Sequence, residues 1–160
     1  MPNDVGDSGF SSLLSLGWHR LSIVELRRLC VDRFPLSNSR ERIMQGLEEI
    51  IRKLRAKDIV GELWVNGSFV TEKINPDDVD VVLFIEGTFL ESATTEQVQT
   101  INWVNSNLKD SFCCDSYVSI EFPQSHPQHA YGEYWRAYWT RQWGFDREDN
   151  PVKGIAVVSL

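Results

Sequence analysis

The sequence predicts an α+β domain: a mixed β-sheet with helices packed mainly on one side. Three observations carry this. The chain has 160 residues, 42% hydrophobic and 24% charged, which suits one domain with a real core. Helical and strand periodicities alternate in the order helix, helix, strand, strand, helix, strand, helix, strand. No internal repeat, low-complexity tract or linker interrupts that order.

Residues 1–20 open on the Gly-, Ser- and Asp-containing MPNDVGDSGF and read as a flexible N-terminal arm, with 21–160 as the single domain. Ser22 and Glu25 have capping-box spacing ahead of Ile23, Leu26 and Leu29, which predicts a helix over 23–34 stopped by Pro35. A second helix starts near Ser39, with Asn38 and Glu41 as its cap, and runs to about residue 56 on Ile43, Leu47, Ile50, Ile51 and Leu54. Leu63–Val65 and Val79–Ile85 are short apolar runs with strand composition. SATTEQVQTINWVNSNLKD reads as an amphipathic helix with Val98, Ile101, Val104 and Leu108 inward. FCCDSYVSIEF is a strand, HAYGEYWRAYWTRQWGF is helical in its second half, and KGIAVVSL is a C-terminal strand at a sheet edge.

Composition narrows the function. No apolar run is long enough to span a bilayer, and the polar N-terminus lacks the basic start of a secretory signal. Three cysteines, Cys113 and Cys114 adjacent, make neither a disulfide framework nor a zinc set, so the expected compartment is the reducing cytoplasm and no membrane partner is expected. The net charge of −7 disfavours indiscriminate binding to long DNA. Residues 20–57 nevertheless hold ten Lys/Arg against five Asp/Glu. That segment is either a solvated helical face or a patch for nucleic acid or an acidic protein.

The chemistry concentrates in LWVNGSFVTEKINPDDVDVVLFI, residues 63–85. Side chains alternate across a strand, so Asp78 and Asp80 point one way, about 7 Å apart, while Val79 and Val81 point into the core. Two such carboxylates repel unless they are solvated or share a cation, and magnesium, a hard ion held by carboxylates and substrate phosphates, suits them. Asp77 lies one residue early and faces the other way. At the end of the preceding strand, Gly67 lets the backbone approach a ligand, and exposed amides with the Ser68 hydroxyl can hold phosphate oxygens.

This pattern resembles the polymerase-beta-type nucleotidyltransferase superfamily, with Gly67, Ser68, Asp78 and Asp80 at the motif positions. It is similar, more closely, to small bacterial proteins with a minimal nucleotidyltransferase domain, through Gly67 to Lys73, Asn75 to Asp80 and Lys153 to Ile155. The resemblance spans roughly residues 20–160, but its specific part is the central twenty. It implies the nucleotidyltransferase fold and a third carboxylate on a neighbouring strand, with Asp115 the first candidate and Glu121 the second. It also implies two magnesium ions, or manganese in their place, on Asp78, Asp80 and Asp115. The substrate would be an NTP gripped by Gly67, Ser68 and Lys73, and the acceptor an RNA such as a tRNA end, or a protein. Small members of the superfamily resemble toxin, antitoxin and phage-defence proteins, so a partner encoded by a neighbouring gene is a further expectation. Two other functions stay open: a binding module that keeps the fold without catalysis, and a metal-dependent nuclease.

The remaining features read as packing or surface. Tyr131, Trp135, Tyr138 and Trp139 share a helical face, better suited to core or partner packing than to base stacking. Arg147 and Lys153 could reach a phosphate or stay at the surface. His126 and His129 have no Cys partner, His19 reads as a packing or capping residue, and Cys113 and Cys114 as small core residues.

Overall fold

The computed structural model describes residues 9–160. Its elements are β1 (Gly17–Arg20), α1 (Ile23–Arg27), α2 (Arg40–Ala56), β2 (Glu62–Asn66), β3 (Val79–Glu86), α3 (Gly87–Glu91), α4 (Thr95–Asn105), α5 (Lys109–Phe112), β4 (Cys114–Glu121), α6 (His129–Gly144) and β5 (Gly154–Ser159). The fold is α+β. The mixed sheet has the order β1-β5-β2-β3-β4. β2 runs antiparallel to β3 and β5, while the outer pairs β1/β5 and β3/β4 are parallel.

Strand alternation sorts the apolar side chains onto two faces. Leu63, Val65, Val79, Val81, Leu83, Ala156 and Val158 point to one face, where they pack with Leu26, Ile43, Leu47, Ile50, Ile51, Leu54, Ile101 and Val104. Helices therefore lie mainly on this side. The opposite face carries Trp64, Val82, Phe84, Ile155 and Val157, and α6 covers them with Trp139 and Trp143. The aromatic segment is thus split: its inner tryptophans are core, while Tyr131 and Tyr134 stay exposed.

Several boundaries move. The Ser22–Glu25 capping box forms, but regular α-helix ends at Arg27 and continues as a π-helical turn, Arg28–Asp32. The N-cap of α2 is Ser39, not the Asn38–Glu41 pair: Glu41 turns to Arg27 at 2.8 Å, and the Ser37 hydroxyl accepts from Arg40 N. In α4 a second capping box, Thr94 with Gln97, starts the helix at Thr95, and Val98 is exposed rather than inward. α6 is helical from His129 onward. Gly132 makes this fit, because a Cβ there would sit 3.1 Å from Glu121 Cα.

Two expectations change more deeply. Residues 17–20, placed in the flexible arm, form the edge strand β1, and a bridge joins Ser12 to Thr71. Residues 1–8 of that arm lie outside the described residues. The C-terminal strand, expected at an edge, is interior, because β1 supplies the edge beside it.

Candidate active site

The site forms where β2 ends and β3 and β4 begin, on the α6 face of the sheet. Asn66 opposes Asp80 across β2/β3, and Asp80 opposes Asp115 across β3/β4. Neighbouring strands lie about 4.8 Å apart, so two carboxylates face the same side at that spacing. Asp78 stands just before β3 and completes an acidic corner. Asp115, the first candidate for the third carboxylate, is therefore in register with Asp80. Glu121 is not at this corner: it lies six residues along β4 in register with Glu86, where Arg136 engages it through two nitrogens.

Electrostatics at the corner are unbalanced. Asp80 is largely buried, and its carboxyl is pushed up to about 7 by burial first, then by the charges of Asp78 and Asp115. Lys109 and Lys153 partly offset this. Lys109 reaches Asp78 at 2.6 Å, which holds its ammonium above the usual lysine range. On the far side of Asp115, Asn107 donates from Nδ2 to Oδ1 at 3.0 Å, and the nearby carboxylate raises the Tyr117 hydroxyl after burial has done so.

The α5 turn that aims Lys109 is unusually shaped. Asn107 and Cys113, either side of it, both have positive φ, 65° and 56°. Asn tolerates that region through local hydrogen bonds, and here its side chain accepts from Lys109 N at 3.0 Å. For Cys113 the conformation costs energy, and such strain tends to sit beside functional groups.

Gly67 closes the corner from the β2 side. Its φ is 84°, and a Cβ there would lie 2.1 Å from Asp80 Oδ2. The backbone thus packs directly on the carboxylate, which only glycine permits. Asn66 holds this bend: its Oδ1 accepts from Gly67 N at 2.8 Å and its Nδ2 donates to Gly154 O at 3.1 Å. Residues Ser68–Val70 follow as a 3₁₀ turn. Gly67→Ala is expected to cost about 2–4 kcal/mol from the backbone conformation and the clash together. The shift of the urea midpoint measures this.

The loop beyond is held by a residue that the sequence placed among surface charges. Arg40 is fully buried and donates to the carbonyls of Cys30, Phe69, Thr71, Lys73 and Ile74. Its guanidinium stacks on Phe34, 3.7 Å from the ring centroid. Lys73, expected at the phosphates, instead pairs with exposed Asp77 at 3.3 Å. Some of the other charges of 20–57 are paired: Arg20 with Glu62, Arg27 with Glu41 and Glu48, Arg52 with Glu49, and Lys57 with Glu96. Arg52, Lys53 and Lys57 still line a groove of about 490 Å³ beside Trp103, at the end of α2 away from the Gly-Ser loop.

The histidines have ordinary contacts: His19 with Ser15 O at 2.7 Å, His129 with Phe122 O at 2.8 Å, and His126 stacked on Phe122. Among the described residues no group of three His, Cys, Asp or Glu side chains converges as a metal shell. At the acidic corner the reason is visible. Asp78 is turned to Lys109, Asp115 to Asn107, and Asp80 lies against Gly67.

Residues 8–159 match a family described as a family of unknown function, DUF6932. The chain belongs to this family. No curated protein and no solved structure matches it. Within this family member, Asp78, Asp80, Asp115 and Gly67 lie together at one corner and Ser68 follows Gly67 in the 3₁₀ turn, while Arg40, Asn66, Asn107 and Lys109 were not anticipated. None of these four belongs to a spacing pattern, and each is recruited by the tertiary structure. No helix among the described residues is long and apolar enough to cross a membrane.

Proposed function

We propose that this corner binds a nucleoside triphosphate with magnesium and transfers its nucleoside monophosphate to a hydroxyl of RNA, a tRNA end in particular, or of a protein. The observation that carries the reading is the pairing of Asp80 with Asp115, Asp78 beside them and the Gly67 backbone packed on the Asp80 carboxylate.

The donor chemistry of the corner suits the ion. All three candidates, Asp78, Asp80 and Asp115, offer hard oxygen donors, and magnesium prefers one or two such carboxylates with substrate phosphates. Burial first, and then the charges of Asp78 and Asp115, raise Asp80 to about 7, so a cation at this corner would favour its charged form; Lys109 already supplies one cation to Asp78. When bound, magnesium, or manganese in its place, neutralises charge on the phosphates and on the leaving oxygen.

The chain's own groups have separable tasks. Gly67 and the 3₁₀ turn bring backbone amides and the Ser68 hydroxyl to phosphate oxygens. Lys109 has a half-exposed side chain and exchanges Asp78 for a phosphate when the corner is filled. Asp115, oriented by Asn107, accepts the proton of the attacking hydroxyl. That oxygen bonds to the α-phosphorus, the bond to the bridging oxygen breaks, and pyrophosphate leaves. The cytoplasm, with a toxin–antitoxin or phage-defence setting and a partner from a neighbouring gene, is the context this chemistry suits.

The test is incubation of the protein with each α-labelled NTP, magnesium, total tRNA and cell protein. Label passes to one acceptor class, and Asp80→Ala abolishes the transfer. Nucleotide binding without transfer would make the protein a binding module. RNA cleavage without NTP would make it a nuclease.

A further inference from the structure

We propose that the cavity between β1, β5 and the end of α6 is the subsite for the base of the nucleotide, an inference that rests on the function proposed above. One rung of the sheet leads from the acidic corner to this cavity. Asp80 opposes Asn66, and Val65 opposes Ala156, so the next rung sets Asn66 beside Ile155. Ile155 in turn opposes Trp18. Asp115, Asp80, Asn66, Ile155 and Trp18 thus form a row on one face. Ile155 stands two strand spacings from Asp80, about 10 Å, and Trp18 about 14 Å. With the reacting phosphate at Asp80, that is the reach of a ribose and a base.

The row ends in a cavity of about 140 Å³ lined by Leu16, Trp18, Phe145, Pro151, Lys153 and Ile155. Its walls are almost wholly apolar. An apolar cavity of about 150 Å³ takes a benzene ring, so the size suits an aromatic ring system entering from the open side. Trp18 and Leu16 are more than half exposed at its rim. Trp18 meets Trp64 edge-on at 6.0 Å, which holds its ring without covering it. A base stacks on such a ring with little regard to its identity. Lys153 lines the cavity and adds a cationic side chain to its wall. The opposite side of the corner, with Asp115, Asn107 and Tyr117, is then left for the acceptor.

The experiment compares binding of NTP and of inorganic tripolyphosphate, each with magnesium, by titration calorimetry and by tryptophan quenching. Wild-type protein binds NTP at least about tenfold tighter than tripolyphosphate, from base–aromatic stacking. Trp18→Ala brings NTP down to the tripolyphosphate level and leaves tripolyphosphate unchanged, and Trp18→Phe recovers most of the difference. Trp18 lies on the exposed edge strand, and a circular-dichroism melt confirms that both variants fold. Equal wild-type affinity for the two ligands overturns the base subsite and leaves the function proposed above standing. Binding of neither ligand removes that function itself. If Trp18→Ala dissolves a dimer on size exclusion and leaves NTP affinity intact, the face belongs to a second copy and the proposal fails.

Discussion

Asp80→Asn is expected to abolish nucleotidyl transfer while making the metal-free protein more stable at pH 8. The two effects have one cause. The native fold holds a carboxylate largely buried beside Asp78 and Asp115, and its pKa stands at about 7 against an ordinary 3.8. Between those values the folded chain binds this proton more tightly than the unfolded chain does. Stability from this group therefore falls as pH rises through the window, and the full penalty is present above pH 7. The shift corresponds to on the order of 2 kcal/mol once solvent at the open corner is allowed for. The amide that replaces the carboxylate carries no charge, so the variant loses this pH dependence. Urea unfolding in chelator at pH 5 and pH 8 measures it: wild type declines between the two and Asp80→Asn declines less. Equal slopes would show that Asp80 ionises without cost. In the labelled-NTP assay the variant loses several kcal/mol of transition-state stabilisation, a rate loss of about 10³-fold. A functional group that weakens its own fold is common in active sites.

Arg40→Ala is expected to be the most damaging single change to stability. Arg40 is enclosed, with desolvation pulling its pKa below the usual arginine range. Carbonyl oxygens from the π-helical turn and the Gly-Ser loop surround its charge. Truncation leaves those carbonyls facing an apolar cavity under Phe34 and Phe69, at a cost of about 3–5 kcal/mol. That is a large share of the ordinary stability of a domain, about 5–15 kcal/mol. Arg40→Lys keeps the charge but offers three donors on a flexible stem, so it recovers only part. The urea midpoint falls for both, alanine more than lysine, with an unchanged denaturant slope. Hydrogen exchange adds a local reading: in Arg40→Lys the amides of residues 69–74 exchange faster than those of β3. A loss below about 1 kcal/mol for alanine would mean that the loop keeps its shape without the guanidinium.

These two residues show how far the sequence could be read. Asp80 was legible because it belongs to a local pattern: a strand alternates, so D-x-D places two carboxylates on one side whatever the remainder of the chain does. Asp115 was legible as a strand residue after the intervening helix, although its register with Asp80 is a property of the sheet. Arg40 was read as one of ten basic residues in a surface segment. Its partners are carbonyls from residues 10 to 34 positions away, which carry no side-chain signature. Lys109 was hidden for a similar reason, since only the α5 turn, with left-handed residues at either side, brings it to Asp78.

By itself the sequence determined the α+β class, the main helices and strands, and the acidic pair next to a Gly-Ser bend. Local periodicity and backbone sterics are enough for these, because they act over a few residues. Tertiary structure decided which strands are neighbours, so that β1 became an edge and β5 an interior strand. It also decided that Lys73 pairs with Asp77 while Lys109 pairs with Asp78, and that Trp18 and Ile155 fall on the same row as Asp80. Each of these depends on hydrogen bonds and burial between distant segments, and no local spacing encodes those contacts.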